Sequence, residues 1–162
     1  MEFYAFEIYL HIIIAVDGRD SLIPFYFSQA LQAHVTEILR KKGDRVIAIS
    51  NEPDHMHVIC KLKPAHSIEQ VVTWIKDGSK ELLHKEGVTR GNFAWQEGYI
   101  ALSCSYNDLP KMTKYLQVQP SYHRLVPFER EHADILTEAE IEFDPADSFE
   151  FVDPVLLEPY RA

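Results

Sequence analysis

The stretch Arg45-Val46-Ile47-Ala48-Ile49-Ser50-Asn51-Glu52-Pro53-Asp54-His55-Met56-His57-Val58-Ile59-Cys60-Lys61-Leu62 decides the fold. Arg45 to Ser50 and His55 to Leu62 read as strands, and Asn51-Glu52-Pro53-Asp54 between them is turn chemistry, so the two runs form a hairpin. Side chains two apart in a strand share a face. His55 and His57 therefore project to one side, and Met56, Val58, Cys60 and Leu62 to the other. Upstream, Ile8 to Val16 is apolar at every phase, the pattern of a central strand covered on both sides. Pro24 then opens a helix with Phe27, Leu31, Val35, Ile38 and Leu39 at helical spacing, and Gly43 closes it after Arg40, Lys41 and Lys42. Downstream, Ser67 and Gln70 form a capping box for a second helix. Its apolar stripe is Ile68, Val71, Val72, Ile75, Leu82 and Leu83, and Gly78 weakens its middle. Phe93 to Ser105 reads as a fourth strand with an irregular start, and Asn107 or Asp108 caps a third helix with Pro110 in its first turn. Past Phe128 periodicity is lost.

The order strand, helix, strand, strand, helix, strand is the split-βαβ, ferredoxin-like pattern. It predicts an α+β fold, with two helices on one face of an antiparallel sheet. An additional C-terminal helix is left for the other face, followed by an acidic tail. Residues 1–127 form the domain and 128–162 an acidic extension of that same domain. With 162 residues, 46% apolar and 25% charged, the chain suits a single folded unit and not a disordered one. Its net charge of −9 argues at face value against nucleic acid. The location of the charge removes that objection. Residues 128–162 hold eleven acids and two arginines, which is the entire −9, while the first 127 residues carry fourteen of each sign. Were the neutral part to bind a polyanion, the acidic tail would be expected to pack beside that face or to compete there. Cys60 and Cys104 lie in strand-like runs and read as buried free thiols. The apolar run Ile8–Val16 is far short of the ~20 residues of a membrane helix, and no basic leader precedes it, so a cytoplasmic protein without a membrane partner is expected.

Two parallel imidazoles on one strand face can chelate a divalent ion, or can simply be two hydrogen-bonded strand histidines. Tyr115 and Gln119, four apart, share a helical face. They can be a half-buried tyrosine beside a surface amide. Alternatively, the glutamine oxygen completes an all-neutral ligand set with the histidines, leaving the ion's charge to attract a phosphate beside the phenol. Tyr122, seven residues on, returns to nearly the same face and is a rival to Tyr115. Asp54 is a candidate acceptor for His55, or a turn residue. His66 and His84 read as surface residues.

These residues reach a family. Pro53-Asp54-His55-Met56-His57-Val58-Ile59 resembles the HUH signature of the single-tyrosine transposases of the insertion sequence 200/605 family. Phe93-Ala94-Trp95-Gln96-Glu97-Gly98-Tyr99 is similar to that family's W-Q-x-G-Y strand, and Lys114-Tyr115-Leu116-Gln117-Val118-Gln119 to its nucleophile helix. Tyr122-His123-Arg124 follows where the family often shows paired histidines and an arginine. The resemblance covers residues 5 to 150. It implies that His55, His57 and Gln119 bind Mg2+ or Mn2+. It further implies that Tyr115 attacks single-stranded DNA bearing a hairpin, to give a 5′-phosphotyrosine and a 3′-hydroxyl, with no nucleotide cofactor, in a homodimer. Lys61, Lys63, Lys111, Lys114 and Arg124 are candidate phosphate contacts, and Trp95 and Tyr99 candidate base-stacking residues. Pro120 directly after Gln119 predicts that this ligand sits at a helix end or kink. The other reading of the whole is a catalytically reduced or host-retained homologue that acts as a DNA hairpin-binding regulator.

Overall fold

The computed structural model describes residues 1–161; Ala162, the last residue of the acidic extension, lies outside the described residues. Its elements are β1 (Tyr9–Ala15), α1 (Ser28–Lys42), β2 (Arg45–Glu52), β3 (His55–Lys61), α2 (Ile68–Glu86), β4 (Ile100–Cys104), α3 (Leu109–Gln117), α4 (Gln119–His123) and α5 (Phe128–Glu138). The four strands form one antiparallel sheet in the order β2-β3-β1-β4. That is the ferredoxin-like arrangement, with the two strands of the N-terminal β1 and hairpin β3 at its centre.

Strand alternation divides the molecule into two layers. Leu10, Ile12, Ile14 and Val16 join Met56, Val58 and Cys60 on one face, where Leu31, Val35 and Leu39 of α1 and Val71, Val72, Ile75 and Leu83 of α2 complete the main core. The expected helix signals are present: the Ser67–Gln70 capping box is reciprocal, and Gly43 ends α1 at a left-handed φ of 96°. Gly78 has a packing role that its propensity hid. A Cβ there would lie 2.1 Å from Ile38 Cδ1, so its missing side chain lets α2 approach α1. Of the two histidines read as surface, His66 is half-buried and bonds Asp44 at 2.9 Å, while exposed His84 bonds the Phe93 carbonyl at 2.8 Å. Cys60 is buried and Cys104 half-buried, and both are free.

Three expectations need correction. The fourth strand runs only from Ile100 to Cys104, because Trp95 makes a single isolated bridge to Val16, and Gly98 then turns at φ 86°. The third helix is two helices, α3 and α4, meeting at Val118, whose ψ of 6° precedes Gln119 and Pro120. Tyr115 and Gln119 therefore belong to different helices, as the missing proline donor dictates. The extension is also not aperiodic. Pro127 precedes α5, which buries Phe128, Glu131, His132 and Leu136 at helical spacing. Two of those four inward residues are polar, so a hydrophobic period could not reveal the helix.

The extension is built into the domain on both faces. Phe128, Leu136 and Phe149 pack on Ile13, Ala15 and Ile100 of the sheet, and Leu157, in a C-terminal 3-10 segment (Pro154–Tyr160), enters the main core. Gln96 clamps the extension to the sheet, with Nε2 donating to Val16 O at 2.9 Å and Glu150 O at 2.7 Å while its Oε1 accepts from Glu150 N at 2.9 Å. No helix among the described residues is long and apolar enough to cross a membrane. Leu157 is 2% exposed, so Leu157→Ala should cost about 2–5 kcal/mol by loss of transfer energy and cavity formation, as for any core leucine. Urea unfolding measures it, and a loss near zero would mean that the segment is a dispensable tail.

Candidate functional site

The second face of the sheet carries His11, Ile13 and Ala15 of β1 and His55 and His57 of β3, and α3, α4 and α5 lie over it. At its centre stands the carboxylate of Glu131 on α5, 1% exposed. Glu131 Oε1 lies 3.2 Å from His55 Nε2, 3.1 Å from His57 Nε2 and 3.2 Å from His123 Nε2. Its Oε2 accepts from Gln119 Nε2 at 2.7 Å and from the Tyr115 hydroxyl. Gln119 Oε1 is 2.9 Å from His123 Nε2 and 3.4 Å from His55 Nε2.

Each imidazole is held from behind. His55 Nδ1 meets Asp54 Oδ1 at 2.7 Å, His57 Nδ1 meets His11 Nε2 at 2.8 Å, and His123 Nδ1 donates to Val126 O at 2.8 Å. The Phe128 ring stacks on His55 with centroids 3.8 Å apart. A cavity of about 630 Å3 opens beside this cluster, between β4, α3 and α5, lined among others by His11, Leu102, Lys111, Tyr115, Tyr122 and Glu131.

The charges follow from burial and proximity. Burial opposes a charge on His55, but the Asp54 and Glu131 carboxylates outweigh it and raise the ring to about 10. Burial holds His57 below the ordinary histidine value, and burial with the neighbouring His57 takes His11 down to about 3. Burial would raise the Glu131 carboxyl, yet the three surrounding histidines bring it well below the carboxylate range. Burial and the Glu131 charge push the Tyr115 phenol above the tyrosine range.

Of the residues singled out in the sequence, His55, His57, Tyr115 and Gln119 come together here, and Asp54 is the acceptor behind His55. Gln119 occupies the first position of α4, at the helix break. Lys111 borders the cavity, and Lys114 and Arg124 are exposed on α3 and after α4. Lys61 stands at the far end of β3 in an ion pair with Glu7 at 3.1 Å, and Lys63 packs against Gly43. Trp95 is away from this face: half-buried, it packs against the main core, and its Nε1 donates to Ser79 Oγ at 2.8 Å. Tyr99 is 37% exposed before β4.

Sequence reasoning did not single out Glu131, His123 or His11 as site residues. His11 had a signal, being the one polar residue in a nine-residue apolar run. His123 had a weaker one in Tyr122-His123-Arg124. Glu131 had none, as one of eleven acids in the extension.

The sequence pattern of the family described as "Transposase IS200 like" matches residues 4–119, and the chain belongs to that family, a class of DNA-processing enzymes. The chain is 25% identical to the ISDra2 transposase TnpA of Deinococcus radiodurans over 122 residues, covering 72% of this chain and 86% of that protein. Its fold is shared with a crystal structure of a protein of Deinococcus radiodurans R1 assigned as a transposase, with a TM-score of 0.57 at 20% identity over 74% of this chain and 95% of the other. A REP-associated tyrosine transposase, solved bound to a REP hairpin, matches with a TM-score of 0.54 at 18% identity over 94% of this chain and 97% of that one.

The shifted groups make stability depend on pH. His11 and His57 are depressed on folding, so the unfolded chain takes up protons that the folded one refuses, and stability falls below about pH 6.5. His55 is raised to about 10, so its contribution is complete below about 6.5 and is lost as the pH climbs through 10. The depressed Glu131 adds to the loss in acid. Metal-free protein should therefore be most stable near pH 6.5, declining on each side by at most about 1.4 kcal/mol per pH unit for each group. Urea melts at about pH 5, 6.5 and 9 check this, and constant stability across the range would contradict the charge assignment.

Proposed function

We propose that this protein is a metal-dependent transposase that nicks and rejoins single-stranded DNA at hairpin ends, with Tyr115 as nucleophile. One observation carries the reading: the Tyr115 hydroxyl, two strand histidines and the Gln119 amide meet around one buried carboxylate at the wall of an open cavity. The hairpin substrate is supported by the relative that binds a REP hairpin.

The residues present fit a divalent cation. His55, His57 and Gln119 would hold Mg2+ or Mn2+, since two buried imidazole nitrogens face a common carboxylate and the Gln119 amide oxygen lies 3.4 Å from one of them, His55 Nε2. Bound there, the ion would supply Lewis-acid polarisation of a phosphoryl oxygen. The remaining work belongs to side chains. Tyr115 does not ionise by itself, because burial and Glu131 hold its phenol above the tyrosine range. Its hydroxyl donates to Glu131, which orients it, and its proton is released as the phenol oxygen attacks phosphorus. The new bond joins Tyr115 to phosphorus, and the bond to the 3′ oxygen breaks. That oxygen leaves as a hydroxyl with the proton equivalent that the phenol released. The resulting 5′-phosphotyrosine conserves the phosphodiester energy, so rejoining needs no nucleotide. Lys111, Lys114 and Arg124 serve the DNA backbone, and exposed Tyr99 an unpaired base. Residues 1–127 supply the sheet, the paired histidines and the tyrosine, and residues 128–161 the carboxylate. A homodimer, with a second copy meeting this one at a sheet edge, belongs to the same proposal.

Incubation with single-stranded hairpin DNA and Mn2+ should give a covalent protein–DNA adduct on denaturing gels. Tyr115→Phe should reduce it by at least about 1,000-fold, as for loss of a nucleophile, while Tyr122→Phe retains it. An adduct that survives Tyr115→Phe and disappears in Tyr122→Phe would move the nucleophile to Tyr122. Hairpin binding without any adduct from the unmodified chain would favour a catalytically reduced, hairpin-binding regulator.

A further inference from the structure

We infer that His123 and Glu131 join His55 and His57 in a three-histidine, one-carboxylate centre that selects a first-row transition dication such as Mn2+, Co2+ or Zn2+ over Mg2+. The inference deepens the metal-dependent reading above by naming the ion class of that same site.

The hydrogen-bond chemistry of the three rings carries it. The partner of His123 Nδ1 is the Val126 carbonyl, at 2.8 Å, and that of His55 Nδ1 is the Asp54 carboxylate, at 2.7 Å. Both partners only accept, so both Nδ1 atoms carry hydrogen. The Nε2 of a neutral ring is then a lone pair. On the inner side these lone pairs face further acceptors: Glu131 Oε1 at 3.2 Å from each ring, and Gln119 Oε1 at 2.9 Å from His123 and 3.4 Å from His55. His57 adds a third Nε2, 3.1 Å from the same carboxylate oxygen, with its own Nδ1 engaged by His11. One dication would take the three Nε2 atoms and Glu131 Oε1 as its ligands.

The geometry and surroundings agree. One nitrogen from each histidine and one Glu131 oxygen all lie within 4.8 Å of one another, so small inward shifts of the side chains bring them onto one ion at about 2.0–2.2 Å. A ligating histidine normally gives its other ring nitrogen to a carboxylate or a carbonyl; His55 and His123 do so here, and His57 Nδ1 is engaged by His11. Gln119 holds the carboxylate in place with a 2.7 Å hydrogen bond to its second oxygen.

The choice of ion follows from the donors. The four side chains are 0–4% exposed. Mg2+ demands oxygen ligands and gives up water reluctantly, so three imidazoles in a dry pocket suit it poorly. Imidazole with one carboxylate and no thiolate suits the borderline first-row ions.

The test uses the full-length chain, stripped with a chelator and free of DNA, titrated calorimetrically with Zn2+, Mn2+ and Mg2+, with Co2+ followed by its visible spectrum. One site should take Zn2+ and Mn2+ at least about 100-fold more tightly than Mg2+, with Zn2+ ahead of Mn2+. His123→Ala and Glu131→Gln should each weaken Mn2+ binding by at least about tenfold, the scale of losing a partner in such a site. Circular dichroism confirms the fold of each variant. If His123→Ala does not fold, the isosteric Glu131→Gln decides. Mg2+ binding within tenfold of Mn2+, or a folded Glu131→Gln with undiminished Mn2+ affinity, overturns the inference. The readout is independent of DNA cleavage. The expected metal order without any covalent adduct would reject the nuclease reading alone, and an adduct with equal Mg2+ and Mn2+ affinity would reject the four-ligand centre alone.

Discussion

The buried carboxylate of Glu131 is the interaction on which the rest of this face depends. An isolated charge 1% exposed would cost several kcal/mol to desolvate, and the fold meets that cost by surrounding it with three imidazoles, an amide and a phenol. Those groups come from β3, α3 and α4, and the carboxylate from α5. One charge thus ties three short helices to the sheet, where apolar contact alone would leave their relative positions loosely specified. The arrangement is also two-sided: Oε1 faces the histidines, while Oε2 faces the tyrosine and the glutamine amide. A single side chain thereby relates the candidate ligands to the candidate nucleophile.

The sheet beneath makes this possible because β3 serves two environments. Met56, Val58 and Cys60 lock it into the main core under α1 and α2, so the register of His55 and His57 on the opposite face is fixed as strongly as the core itself. A slip of one residue would bury both histidines under the helices and turn Met56 and Val58 toward the site. The rings are then aimed by their partners, Asp54 from the hairpin turn and His11 from the neighbouring strand, so their orientation is set before any ligand arrives. Membership of the IS200-like transposase family gives this preorganisation its context.

Much of the fold was legible because its signals are local. The hairpin turn at Asn51 to Asp54, the Ser67–Gln70 capping box, the Gly43 stop and the stripes of α1 and α2 depend on residues within one or two turns of each other. So did the direction of His55 and His57, which period-two alternation dictates. The break between Tyr115 and Gln119 was also foreseeable, since Pro120 lacks a donor and restricts its predecessor. What was hidden is α5. Its inward positions include Glu131 and His132, so its period is written half in polar residues. The surroundings of Trp95 were hidden for a related reason: its contacts with Ser79 on α2 and with Phe93 depend on the packed core and not on its own motif.

The sequence by itself determined the order of elements, the two faces of the central strand and the presence of a histidine pair and a tyrosine four residues from a glutamine. These are properties of backbone periodicity and residue chemistry within a short window. Only the tertiary structure decided how the acidic extension packs on the two faces of the sheet, that one of its eleven acids lies at the heart of the site, and that His11 and His123 stand with it. A buried charge is permitted only where distant groups have been assembled to receive it. No spacing along the chain records that assembly, because its members, 120 residues apart from His11 to Glu131, meet only after the sheet and three helices have closed around them.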